Sequence, residues 1–239
     1  MQIRTLALAA FAAASFHAQA DTVALWDFNT FSCSSACTDL PKGATANGGK
    51  MSMVGGATFT SAGGSGTGSA FNTTTYAAQG AGDLTRGVQF MVDTSGYTDL
   101  VLSFSQRNSD TASAWTALQY TVDGSTWLNA TTFLMPSNKS TSFVDGLRFD
   151  FSSILEANNN ESFGVRFLAT FAPGTSEYIG TKDSLASAYR TSGTIRYDNV
   201  MFSGTAIPDT APIPEPQTYA LMLAGLAAVG LLARRRRAG

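Results

Sequence analysis

Apolar and polar positions alternate in short runs along residues 21–203, and Gly, Asn, Ser and Asp stand between the runs. A period of two predicts strands with one buried face. The runs fall at 23–28, 51–60, 69–76, 86–92, 98–107, 114–122, 126–134, 143–151, 163–171 and 193–203. No stretch of this body sustains a helical period. Short strands divided by turn residues predict an all-β fold, a single β-sandwich or jelly roll. Asp123-Gly124 between two such runs predicts a hairpin, because its turn needs positive φ. Residues 61–68 and 172–192 read as loops, and 204–213 as a Pro-containing linker.

Alternation also assigns faces. Leu102 and Phe104 oppose Ser103 and Ser105. Leu118, Tyr120 and Val122 oppose Trp115, Gln119 and Thr121. Leu147, Phe149 and Phe151 oppose Arg148 and Asp150, while Phe163, Val165, Phe167 and Phe171 oppose Arg166 and Thr170. The apolar sets, joined by Trp26 and Phe28, predict the core. Each large side chain contributes roughly 1.5–3 kcal/mol on burial. The opposite sets place Trp115, Gln119, Arg148, Asp150 and Arg166 on a polar face. An exposed aromatic ring stacks on a pyranose, and amides and charges bond its hydroxyls. This is the candidate polysaccharide face. The alternative is a second core layer for Trp115 and plain polar surface for the others.

The ends follow different patterns. Arg4, the apolar run Leu6 to Phe16 and Ala18-Gln19-Ala20 order themselves as a signal peptide over 1–20. At the other end, 214–239 holds Pro214-Glu215-Pro216, an apolar run over 219–233, and Arg234, Arg235, Arg236 and Arg237. A helix over that run is expected to span the membrane, with the arginines on the cytoplasmic side and the body outside. Its length of about 22 Å is short for a core of about 30 Å, so snorkelling arginines would extend it.

The Pro-Glu-Pro triplet, the apolar helix with Gly225 and Gly230, and the closing arginines resemble the PEP-CTERM sorting signal. The resemblance covers about the last 27 residues. It implies an exported protein of an exopolysaccharide-making Gram-negative bacterium. It further implies processing near Pro214-Glu215-Pro216 by an exosortase, a membrane cysteine protease. The expected partners are exosortase and the membrane during sorting. The expected location is the inner membrane transiently, then the cell surface or extracellular matrix. The body has its own resemblance. Leu102-Ser103-Phe104-Ser105, the run from Leu118 to Trp127, Phe163-Gly164-Val165-Arg166-Phe167 and Arg196-Tyr197-Asp198-Asn199-Val200 are similar to jelly-roll domains of carbohydrate-binding-module type. Position 121 is Thr where such domains more usually have Ser. Modules of this type occur alone and beside enzymes.

Composition narrows the chemistry. The chain has 239 residues and a net charge of −2, but residues 21–213 hold 10 basic against 16 acidic side chains, a net −6. No basic excess exists to displace counterions from phosphate, so nucleic acid is not an expected partner. The single histidine, His17, lies in the leader. Its loss with the leader removes Ser-His-Asp and Cys-His catalysis and multi-histidine metal sites. Cys33 and Cys37 are too few ligands for zinc, and export makes them a disulfide. Free or strained thiols are the alternative.

Two further chemistries stay open. A glycosidase needs only two facing carboxylates, and Asp93, Asp99, Asp150, Glu156, Glu161 and Glu177 are available without a motif. A structural calcium is the other, with Asp27 and Asp198 as ligands if the first and last strands pair, against plain turn hydrogen bonding. The first reading is a non-catalytic exported protein that binds polysaccharide. The second is a polysaccharide-active hydrolase, and the third a purely structural matrix protein.

Overall fold

β-branched and aromatic residues at alternate positions build two antiparallel sheets, as expected for side chains that fit a pleated, half-buried surface. The computed structural model describes residues 20–35, 37–41, 49–139, 142–208 and 216–237. The signal peptide expected over 1–20 lies outside these residues except for Ala20. The first sheet contains β1 (Ala20–Trp26), β3 (Thr58–Gly63), β4 (Ser69–Thr74), β6 (Tyr97–Asn108), β9 (Val144–Asp150) and β11 (Ile195–Ala206). Their order is β3-β4-β11-β6-β9, with β1 beside the later half of β11. The second sheet contains β2 (Gly49–Val54), β5 (Gly87–Val92), β7 (Trp115–Thr121), β8 (Leu128–Leu134) and β10 (Gly164–Ala169), ordered β2-β5-β10-β7-β8.

The expected core forms between these sheets. Trp26, Phe28, Leu102, Phe104, Leu118, Phe151, Phe163, Val165 and Phe167 are buried. Tyr120, Val122, Leu147, Phe149 and Phe171 pack against them from the rim. Aromatic rings join the layers. Phe167 of β10 stacks on Tyr197 of β11 at 5.0 Å, and it meets Phe104 at 4.6 Å and Phe90 at 5.9 Å. Trp26 meets Phe90 edge-on at 4.9 Å.

Three expectations change. The single strand over 51–60 is two strands in different sheets. Gly55 and Gly56, at φ 65° and 80°, turn the chain out of one layer and into the other. Only glycine enters that region readily, so two in succession make a corner rather than a strand interior. The last strand runs on to Ala206, so the first residues assigned to the linker, 204–206, are paired with β1 and β6. The loop 172–192 is packed down: Tyr178 and Tyr189 stack at 4.5 Å and are both buried. Burial pushes the Tyr189 hydroxyl up to about 12.

Cys33 and Cys37 form the expected disulfide, with Cα atoms 6.0 Å apart. The segment is fastened to β3: Ser61 donates its amide to the Cys33 carbonyl at 2.7 Å, and Cys33 donates its amide to Ser61 Oγ at 2.9 Å. This covers an otherwise unpaired edge.

The chain divides into two compact units, Met1–Ala206 and Ile207–Gly239. In the second unit Pro216–Arg237 is one helix, α1. Leu221, Met222, Leu223, Leu226 and Val229 on it are exposed. The membrane-spanning helix expected over 219–233 is not found as such: no helix among the described residues is long and apolar enough to cross a membrane. The apolar run is only 15 residues, and the rest of α1 is Pro-Gln-Thr at one end and four arginines at the other.

Two stability outcomes follow from this packing. Phe167→Ala removes a ring touching both sheets and is expected to cost about 3–5 kcal/mol in chemical denaturation. Reducing the Cys33–Cys37 bond opens a very short loop. It is expected to cost only about 1–2 kcal/mol, read as a fall in Tm of about 2–8 °C.

Candidate functional site

The outer face of the second sheet is organised around one cross-strand row. Ser52 on β2 stands opposite Gln89 on β5, Gln89 opposite Arg166 on β10, Arg166 opposite Gln119 on β7, and Gln119 opposite Asn129 on β8. All point outward because their neighbours Met51, Val88, Phe90, Val165, Phe167 and Leu118 point into the core. Five strands at about 4.8 Å spacing give the row a span of about 19 Å. One flanking row is Val54, Gly87, Leu168, Ala117 and Thr132, without a charge. Leu168 and Ala117 in this row are buried, as is Gln119 in the polar row.

Hydrogen bonds link three members of the row. Arg166 Nε donates to Gln119 Oε1 at 2.6 Å, and Gln119 Nε2 donates to Asn129 Oδ1 at 2.7 Å. The guanidinium lies over the Trp127 ring, 4.5 Å from its centroid. Such a contact is worth about 0.5–1 kcal/mol at an exposed site. Partial burial lowers the Arg166 pKa from its ordinary value, yet a guanidinium keeps its charge at neutral pH.

Trp127 is placed by the expected hairpin. β7 and β8 pair antiparallel, and Gly124 takes φ 74° in the connection. The turn is longer than a two-residue loop. The Asp123 carboxylate accepts the amides of Ser125 at 2.8 Å and Thr126 at 2.6 Å, and the Thr121 hydroxyl at 3.0 Å. These donors, the two amides first, hold its pKa well below the usual carboxylate range.

Of the five residues expected on one polar face, the structure brings together Gln119 and Arg166. Trp115 shares their face, half-buried beside Leu134 and two rows away. Arg148 and Asp150 do not join them. β9 belongs to the other sheet, where it pairs with β6. Alternation fixes the parity of a strand but not the layer it enters, so the sequence could not separate them. Arg148 and Asp150 form an open ion pair at 3.8 Å, both more than half exposed. An exposed pair of that kind is worth at most about 1 kcal/mol. Hydrogen bonds from Ser152, with Arg148 as a lesser cause, lower the Asp150 pKa. Ser52, Gln89, Asn129 and Trp127 were not singled out from the sequence. The parity of the 86–92 run already turns Gln89 outward, whereas the partners of Trp127 needed the hairpin.

The six carboxylates divide. Asp93 and Glu161 line one cavity of about 800 Å³, with Lys50, Met51 and Met91 also on its wall. The other four are dispersed. Asp99 is the third residue of β6, at φ 53°, Asp150 ends β9, Glu156 sits in the short 155–157 turn, and Glu177 in the 172–192 loop.

Asp27 and Asp198 sit near the pairing that the calcium reading required, since β1 and β11 are antiparallel neighbours. The Asp198 carboxylate is 1% exposed and accepts the amides of Ser65 at 2.7 Å and Asn199 at 2.8 Å. Burial pushes its pKa up against those two bonds, and the charges of Asp27 and Asp145 add to the rise. Asp27 accepts the amide of Asn29 at 3.1 Å. Among the described residues no group of three or more His, Cys, Asp or Glu side chains is placed to hold a metal ion. What Asp198 does is clamp the glycine-rich 64–68 loop onto the sheet.

In the tail, Pro216 opens α1 and Arg234–Arg237 close it, while Pro214 and Glu215 lie outside the described residues. Proline suits a first helical turn and arginine a last one. Residues 212–237 match the PEP-CTERM protein-sorting motif. The chain therefore carries the signal of an exported, exosortase-sorted protein. No curated protein sequence matches it. Among solved structures it is similar to the N-terminal CBM22-1–CBM22-2 tandem domain of Xyn10C from Paenibacillus barcinonensis. Identity is 13% and the TM-score 0.46, over 83% of this chain and 52% of that one. It is also similar to the CBM22-1 xylan-binding domain of that protein, at 12% identity and a TM-score of 0.38, over 65% of this chain and 86% of that one. The chain thus spans about half the length of the tandem.

The Asp123 clamp has a pH signature. A depressed pKa adds stability that is present above the ordinary value of 3.8 and lost as pH falls below it. Asp123→Ala is expected to lower Tm at pH 7. The gap from wild type should narrow in thermal melts taken at successively lower pH through that range.

Proposed function

We propose that this is an exported, non-catalytic protein of the cell surface or extracellular matrix, and that its body binds polysaccharide across the outer face of the second sheet. The observation that carries the reading is the braced row Arg166–Gln119–Asn129, with Gln89 beside it in register and Trp127 stacked on Arg166. Amide and guanidinium groups at strand spacing suit the hydroxyls of a linear glycan laid across the strands. The Trp127 ring supplies the apolar contact that a pyranose needs. Bracing within the row lowers the ordering cost of binding.

Export and sorting supply the setting. The apolar tail engages the membrane and the exosortase until cleavage near Pro214-Glu215-Pro216 releases the body. Mass spectrometry of the surface fraction from an exosortase-bearing strain should find a C-terminus close to that triplet. Recovery of the intact arginine cluster there would contradict processing.

The binding claim is tested with the full chain on a neutral glycan array, followed by affinity electrophoresis on any hit. Trp127→Ala and Gln119→Ala are each expected to weaken binding by about ten-fold. Absence of binding by wild type would leave the purely structural reading. Binding unaffected by Trp127→Ala would remove the row from the site. Release of reducing sugar, abolished by Asp93→Asn or Glu161→Gln, would replace the proposal with the hydrolase.

A further inference from the structure

The outer face of the first sheet carries a different row. Arg107 on β6 stands directly opposite Arg196 on β11, Arg196 opposite Asn72 on β4, and Asn72 opposite Thr60 on β3. The flanking residues Gln106, Asn108, Ile195 and Tyr197 are fully buried, so alternation turns both arginines outward.

Like charges directly opposite on a ladder repel and destabilise the pairing. Acidic residues outnumber basic ones across 21–213, yet no ion pair among the described residues joins a carboxylate to Arg107 or Arg196. The ion pairs among the described residues join Arg148 to Asp150 and Lys182 to Asp110. Asp198 is on the same face of β11, but its two oxygens accept the amides of Ser65 and Asn199, and it forms no ion pair with either arginine.

Arg196 is also held in place. Arg196 Nε donates to Asn72 Oδ1 at 3.4 Å, its Nη1 donates to the Gly63 carbonyl at 3.3 Å, and Asn72 in turn donates to Thr60 at 3.0 Å. Arg107 Nε is buried and has no hydrogen-bond partner. Burial, with Arg107 as the second cause, lowers the Arg196 pKa from its ordinary value. Two half-buried guanidiniums set side by side by the register, one of them held by hydrogen bonds, are the arrangement that a planar oxyanion satisfies, and reduced solvation strengthens that contact.

We propose that Arg107 and Arg196 form a second binding site, separate from the Trp127 row, which takes the carboxylate of a uronate unit in an acidic polysaccharide. Export supplies the reason for a glycan carboxylate: the sorting motif directs the body out of the cytoplasm, where acidic glycans present that group in repeating form. The acidic remainder of the body disfavours loose association with polyanions, so binding should need this paired seat.

The test is calorimetric titration of the full chain with oligogalacturonate, with inorganic sulfate and a neutral dextran oligomer as comparators. Arg107→Gln and Arg196→Gln are each expected to weaken oligogalacturonate binding on the order of ten-fold, and the double variant to abolish it. Tm should be unchanged or higher in Arg107→Gln, because the repulsion is relieved while the Arg196 hydrogen bonds stay. Arg196→Lys keeps the charge without the planar fork and should not restore affinity. Raising salt to about 0.5 M should weaken binding, and Trp127→Ala should leave it intact. Failure of wild type to bind, or binding retained by the double variant, would overturn the proposal. Equal loss in Trp127→Ala would move the carboxylate to the other sheet. Sulfate competing at the same concentration would reduce the site to a general anion seat and overturn the saccharide assignment.

Discussion

The stack of Phe167 on Tyr197 ties the two sheets together and also aims both candidate faces. The rings meet at 5.0 Å, one from β10 and one from β11. Each strand alternates, so a ring committed inward commits its neighbours outward. With Phe167 in the core, Arg166 must leave the second sheet on its outer side. With Tyr197 in the core, Arg196 must leave the first. Phe104 and Phe90 close around the same contact. A single register slip in either strand would exchange core and surface along its whole length.

Charge is distributed against the average of the molecule. The body is acidic overall, yet the polar rows on its two sheet faces are centred on arginine. The acids serve other ends. Asp123 and Asp198 each gather backbone amides, one to shape the turn that carries Trp127 and one to hold a glycine-rich loop against β11. Asp198 lies on the same face of β11 as Arg196, but its oxygens turn to amides and it makes no ion pair with Arg107 or Arg196 among the described residues.

Local pattern carried much of this architecture. The parity of 98–107, 114–122 and 163–171 named their core residues, because a period of two is a property of a strand by itself. The Cys33–Cys37 pair was legible because its members lie four residues apart, and the sorting tail because it is one continuous segment. Where two strands ran together the pattern misled. Residues 51–60 read as continuous because β-forming residues flank Gly55-Gly56 on both sides, and the change of sheet is a long-range event. The apolar tail read as membrane-spanning from its termini and order, although its apolar length and composition fall short.

The sequence by itself determined that the body is made of strands, which side of each strand is apolar, and that two cysteines sit within bonding reach, while the tail was read from its resemblance to a known sorting signal. Those are local facts, set by residue type and spacing. Only the tertiary structure decided which strands share a sheet. That choice separated Arg148 and Asp150 from Gln119 and Arg166, brought Trp127 under the guanidinium of Arg166, and set Arg107 beside Arg196. Partners across a ladder are chosen by the packing of whole sheets, through contacts between residues distant in the chain, and no single segment encodes them.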